Sequence, residues 1–198
     1  YTTLACDVLA RFKRLDGYSV KFLTGTDEHG QKVQAAAEKA GVSPQEFTDT
    51  VSQNFRDLLV VMNFSNDQFI RTTEPRHYKS CQAIWERLMD KGFITLDKYE
   101  GWYSVRDEAF FTETELVDGK APTGAPVSWV EEPSYFFNLS EWQQPLLDYY
   151  VANPDFIAPE SKRKEVITFV SGGLKDLSVS RTTFDWGVPV PGHPEHII

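Results

Sequence analysis

Thr26-Asp27-Glu28-His29-Gly30 is the densest run of functional side-chain types in the chain. Two carboxylates and an imidazole in consecutive positions can do three kinds of chemistry. A carboxylate held at a strand end can pair with a substrate ammonium, and His29 can polarise or position a phosphate. Acid and imidazole together can also begin a metal site, but no other His or Cys lies at ligand spacing nearby. A structural reading competes with all three: Asp27 as the N-cap of a following helix, where the helix dipole favours acids.

Other stretches carry chemistry of lower density. Ser178-Val179-Ser180-Arg181 puts one cation after a short β-type run, which by composition alone reads as a surface ion pair. Lys162-Arg163-Lys164 could meet phosphates or be a solvated helix face. Trp102, Tyr103, Phe110, Phe111, Trp129, Tyr135, Phe136 and Phe137 could stack on bases, although such clusters more often form the core of a small sheet. The sequence contains no Walker loop, dinucleotide-binding glycine fingerprint, nucleophile elbow or zinc knuckle.

The elements that must position these residues follow from periodicity. Leu4, Val8, Phe12 and Leu15 share one helical face, and Asp16-Gly17 ends that helix. Ser19–Leu23 reads as a strand, residues 24–30 as the polar loop at its carboxyl end, and Gln31–Ala40 as a helix closed by Gly41. Ser43, Pro44 and Glu46 open the next helix as a capping box, with Phe47, Val51, Phe55, Leu58 and Met62 as its expected buried stripe. Asn66–Arg71 reads as another strand, and Pro75 starts a helix whose Cys81, Ile84, Trp85 and Leu88 should face the core. This order predicts a wound α/β sheet, with ligands at the carboxyl ends of the strands.

After Leu96 the texture becomes short β runs: 99–105, 109–112, 127–130 and 135–139, separated by Asp-Gly and Pro-Thr-Gly turns. Two helices follow, one expected to be capped by Ser140 with Gln143 and one starting near Pro159.

With 41% hydrophobic and 25% charged residues, the chain is neither disordered nor a disulfide-stapled miniprotein. Twenty basic against 29 acidic residues give a net charge of −9, so any nucleic-acid contact must be local and shape-dependent. No run approaches the roughly 18 apolar residues of a membrane span, and Tyr1-Thr2-Thr3-Leu4 has no secretory character. Cys6 and Cys81, far apart, fit buried thiols in a reducing compartment. The expected location is cytoplasmic, with an organellar matrix as the alternative.

Several stretches taken together are more specific than any one. Tyr1–Asp7, Leu23–Gln31, Phe69–Thr73, Tyr99–Tyr103, Tyr135–Asn138, Asp176–Arg181 and Trp186–Gly192 resemble methionyl-tRNA synthetases, in family order along the whole chain. The resemblance implies a class I synthetase that activates methionine with ATP and Mg2+ and transfers the methionyl group to the 3′ end of tRNA(Met). It implies a Rossmann-type catalytic domain split by a mainly β connective-peptide module. Residues 1–96 would be the first Rossmann half without its first strand, 97–190 the insert, and 191–198 the start of the second half.

On the same resemblance Asp27 binds the methionine ammonium, and Arg181 is the catalytic-site arginine that pairs with Asp27. His29 is a further substrate-binding candidate, and Gly25 and Gly30 would allow close backbone approach to the nucleotide. The two ATP-handling signatures of the family are expected outside residues 1–198. The four positions where many relatives carry zinc ligands are occupied by Ser104, Asp107, Ala121 and Gly124, so a zinc-free insert is expected. Two alternatives stay open: a sister class I synthetase, for which the short insert leaves little room for an editing domain, and a non-catalytic, synthetase-derived module that binds RNA or protein.

Overall fold

The computed structural model describes residues 1–107 and 109–198, with Tyr99 described by its backbone alone. Its first part is α1 (Thr2–Leu15), β1 (Leu23–Thr26), α2 (Gln31–Ala40), α3 (Pro44–Val61), β2 (Gln68–Arg71) and α4 (Pro75–Asp90). β1 and β2 pair in parallel, from Leu23 opposite Gln68 to Thr26 opposite Arg71. Their carboxyl ends therefore lie side by side, and the loop after β1 opens there.

β1 begins where the sequence predicted its end. Phe22 donates its N–H to the Asp67 carboxylate (2.5 Å) and accepts the Asp67 N–H (2.8 Å). The backbone before Leu23 is thus satisfied by the turn preceding β2, and the ladder starts only after it. Gly25 sits within the strand, where an added Cβ would come 1.9 Å from the Ile70 carbonyl oxygen. Only glycine allows the two strands this approach.

The second part is an antiparallel sheet in the order β4-β3-β5-β6, with β3 at Ile94–Ser104, β4 at Ala109–Phe111, β5 at Ser128–Phe137 and β6 at Leu177–Ser178. β3 and β5 stay in register from Ile94 opposite Phe137 to Tyr103 opposite Ser128. The sequence reading broke β5 in two at Pro133, but the strand is continuous. β6 pairs only with Phe136 and Phe137, so Pro133 has a ladder on one side alone, which tolerates a residue without an N–H. Two helices, α5 (Gln143–Ala152) and α6 (Glu160–Ser171), lead to a short hairpin of β7 (Pro189–Val190) and β8 (His193–Ile197).

α4 joins the two parts. Trp85 packs edge-on against Tyr135 at 5.3 Å, within a buried cluster completed by Ile94 and Val190 and flanked by Leu88, Phe137 and Val179. The capping box of α3 forms as expected, Ser43 Oγ accepting from the Glu46 N–H and Glu46 accepting from the Ser43 N–H.

Three expectations fail. The stripes of α1 and α3 are largely exposed: Val8, Phe12 and Leu15 on α1, and Phe55, Leu58 and Met62 on α3. On α4, Ile84 is exposed as well. Ser140 does not cap a helix, because its Oγ and N–H both bond the Asp176 carboxylate (2.6 and 2.9 Å). Cys6 is exposed and Cys81 only partly covered. Among the described residues, no helix is long and apolar enough to cross a membrane.

Candidate functional site at the end of the parallel strands

α2 starts at Gln31 with Gly30 as its N-cap, so Asp27 lies three residues too early to cap it. The carboxylate is exposed instead, and it lines a cavity of about 310 Å3 whose other walls include His29, Gly30, Arg181, Phe184 and Ile198. That size suits a small ligand. Gly30 turns the chain into α2 at φ 96°, a conformation that favours glycine, and its N–H donates to the Trp186 carbonyl (3.2 Å).

Arg181 reaches the same cavity from the other part of the chain. Its backbone exchanges both hydrogen bonds with Ile197 (2.9 and 2.8 Å). Its guanidinium donates to Ser178 Oγ (2.6 Å) and the Ser180 carbonyl (2.8 Å), and stands over the Phe110 ring at 4.9 Å. The expected contact with Asp27 is not formed. Arg181 instead faces Glu132 at 3.9 Å, a buried carboxylate on β5 that also accepts from the Thr182 N–H and hydroxyl. Glu132 is the nearer partner because both belong to the same stitched seam. In that seam Val179 donates to the Tyr135 carbonyl, and the Ser180 hydroxyl accepts from the Tyr135 N–H.

His29 is half-buried between Tyr78 and Trp186, with ring centroids at 5.6 and 5.5 Å, and its Nε2 lies 3.1 Å from the Tyr78 hydroxyl. Burial drives its pKa below 6.5 against the pull of the Asp27 carboxylate. At neutral pH the imidazole is therefore neutral, able to donate one hydrogen bond and accept another.

Glu28 has the opposite surroundings to Asp27. It is 3% exposed and takes hydrogen bonds on both oxygens from Arg71 Nε (2.8 and 3.0 Å), together with the hydroxyls of Thr26 and Thr73 (2.6 and 2.5 Å). Burial alone would raise its pKa, but these hydrogen bonds and the Arg71 charge outweigh burial and hold it below the ordinary value.

A family model described as tRNA synthetases class I (M) matches residues 1–128 and 122–198, which is the whole chain. The chain belongs to the methionyl-tRNA synthetase family. The methionine–tRNA ligase of Rickettsia conorii is 63% identical to it over 199 residues, and that of Mesorhizobium japonicum 56% over 203. Both alignments cover 100% of this chain and 39% of the relative, so the chain spans about two fifths of the length of these curated relatives. Among solved structures, the Mycobacterium tuberculosis methionyl-tRNA synthetase bound by methionyl-adenylate is 56% identical, with a TM-score of 0.91 over 98% of this chain and 40% of that one. The free form of the M. tuberculosis synthetase gives a TM-score of 0.78 at 52% identity, over 100% of this chain and 38% of that one.

Ser104, Asp107, Ala121 and Gly124, the four positions that the resemblance aligns with zinc ligands, lie in a small polar contact network. Ser104 Oγ donates to the Asp107 carboxylate (3.0 Å) and accepts the Asp107 N–H (3.2 Å). The Thr123 hydroxyl donates to the same carboxylate, and Arg106 donates to the Thr123 carbonyl (2.8 Å). Ala121 and Gly124 close the facing turn through a Gly124 N–H to Ala121 carbonyl bond of 2.7 Å. One carboxylate, one hydroxyl and two side chains without donors do not fit a zinc ion.

The aromatic set divides. Tyr135 is core, whereas Trp102, Phe110, Phe111 and Trp129 line a groove on the outer sheet, next to Ser178 and Arg181. Lys162 and Lys164 are solvent-exposed on α6, each within 4.0 Å of a helical acid. Among residues that sequence reasoning missed, Arg71, Glu132 and Trp186 matter most. Each is joined to the site by a contact across more than 40 residues of chain, a separation that local periodicity does not report.

Proposed function

We propose that the whole protein activates methionine with ATP to methionyl-adenylate, then transfers the methionyl group to the 3′ end of tRNA(Met). The observation that carries this reading is Asp27: an exposed carboxylate on a ligand-sized cavity, in a family whose M. tuberculosis member holds methionyl-adenylate. The Asp27 carboxylate pairs with the methionine ammonium and so turns the amino-acid carboxylate toward the α-phosphorus of ATP. A carboxylate oxygen attacks that phosphorus, the bond to the bridging oxygen breaks, and pyrophosphate leaves with its Mg2+. Such a reaction needs positioning and charge stabilisation and no covalent protein intermediate.

Arg181 lines the same cavity and is its catalytic-site cation, held there by Ser178, the Ser180 carbonyl and Glu132. His29, neutral and anchored on Tyr78, is a hydrogen-bonding wall for the substrate. Gly30 brings backbone close to the nucleotide, and Gly25 keeps β1 tight on β2 beneath the site. We take residues 1–96 as the first half of a Rossmann-type domain, 97–190 as a connective-peptide insert closed by the Asp107–Thr123 network in place of zinc, and 191–198 as the return into the second half. A role in translation fits the cytoplasm, with an organellar matrix as the alternative.

A non-catalytic RNA-binding role draws little support from the aromatic groove, whose lining sets four acids, Glu100, Glu113, Glu115 and Asp176, against two cations, Lys175 and Arg181, a net negative balance that disfavours phosphates. The test is Asp27→Ala in the full-length protein, assayed by methionine-dependent ATP–pyrophosphate exchange. Loss of exchange with retained fold supports the site, and wild-type exchange overturns it.

A further inference from the structure

Every polar group of Glu28 is engaged. Besides the four hydrogen bonds to its carboxylate, its N–H donates to Thr72 Oγ1 (2.8 Å) and its carbonyl accepts from the Trp186 indole (2.6 Å). Arg71 continues the chain of contacts outward, with one guanidinium nitrogen 2.6 Å from the Asp49 carboxylate on α3 and another 3.4 Å from Thr48 Oγ1. Glu28, Arg71 and Asp49 thus tie together three elements: the loop after β1, the end of β2, and α3.

Glu28 follows Asp27 directly, so the buried side chain and the exposed one hang from adjacent backbone units. Anchoring Glu28 inward therefore fixes Asp27 outward, toward the cavity. A carboxylate that must hold an ammonium in one orientation gains from having its backbone immobilised beforehand. We propose that Arg71, acting through Glu28, is a positioning residue for Asp27: the Glu28–Arg71–Asp49 bridge sets the affinity for the amino acid without touching it.

This inference rests on the methionine-activation reading, so its test has one readout that does not. In the full-length enzyme, Glu28→Gln keeps the shape and removes the charge, Arg71→Lys keeps the charge and removes the fork, and Asp49→Asn weakens only the solvent-facing end. Exchange kinetics should give a methionine KM raised at least tenfold in Glu28→Gln, several-fold in Arg71→Lys and about threefold in Asp49→Asn. The ATP KM should stay within twofold and kcat within threefold in all three. Independently of any substrate, hydrogen exchange at the amides of residues 27–30 should quicken at least tenfold in Glu28→Gln.

Folded variants with wild-type methionine KM and wild-type protection of residues 27–30 would overturn the proposal, as would equal rises in both KM values. Should Glu28→Gln and Arg71→Lys fail to fold, an unchanged methionine KM and unchanged protection in Asp49→Asn would overturn it. A wild-type enzyme without methionine-dependent exchange would contradict the functional reading, whereas the hydrogen-exchange result would still decide whether the bridge orders the loop.

Discussion

Asp27 and Glu28 are neighbours with the same charge and opposite surroundings, one exposed and one 3% exposed. Removing a carboxylate that pairs with a bound ammonium forfeits about 2–5 kcal/mol, enough to cut kcat/KM by about thirtyfold or more. Asp27→Ala should do this while leaving the melting temperature within about 1 °C of wild type, because an exposed side chain that caps no helix contributes little stability. Steady-state exchange and calorimetry on the same preparation check both halves. The residue types in the 26–30 segment made the candidate site legible in the sequence, and the start of α2 at Gln31 removed the competing cap reading. The division of labour between the two acids was not legible. It depends on Arg71, 43 residues away, and no spacing rule links strand ends across a helical crossover.

At the scale of elements, short polar links decide positions that hydrophobic pattern leaves open. Asp7 on α1 accepts from the Ser65 N–H (2.6 Å), the Ser65 hydroxyl (2.7 Å) and Arg11 (2.8 Å), pinning that helix to the turn before β2. The Ser65 hydroxyl is the largest influence, and although burial opposes it, the pKa of Asp7 is held down at about 2, against an ordinary 3.8. A folded-state pKa below the unfolded one contributes stability that is present above the unfolded value and lost as pH falls through the folded one. The wild-type denaturation midpoint should therefore fall between pH 4 and pH 2, and Asp7→Asn should be less stable at pH 7 with a shallower acid dependence. Urea titrations at several pH values measure this, and parallel curves for the two proteins would contradict it. The Asp107–Thr123 link makes a second case. Metal analysis of the full-length protein should find no stoichiometric zinc, and Thr123→Val should raise proteolytic nicking of residues 105–125 without changing α4. One zinc per chain would overturn the reading. Periodicity located nearly all helices, while the start of β1 and the continuity of β5 depended on partners, Asp67 and β3, that lie far off in sequence.

The whole molecule leaves apolar faces open. Val8 is 61% exposed, Leu15 89% and Val61 80%, and the parallel sheet has two strands among the described residues. The helical stripes read from the sequence are real, but periodicity says only that a face is to be covered, not by which segment. The family relatives are about two and a half times as long as the residues they share with this chain, so in them other sequence is available to lie on the faces that α1 and α3 present. Residues 1–198 expressed alone should therefore bind a hydrophobic dye and self-associate in light scattering, and the full-length protein should do neither. A monomeric, dye-free fragment would contradict this account of the faces. We propose that methionine is activated in the cavity bounded by Asp27 and Arg181. Amino-acid-dependent ATP–pyrophosphate exchange on the full-length protein, with methionine, leucine, valine and cysteine in parallel, tests it most directly. Exchange with methionine alone is the predicted result, and exchange driven by another of the four, or by none, would contradict it.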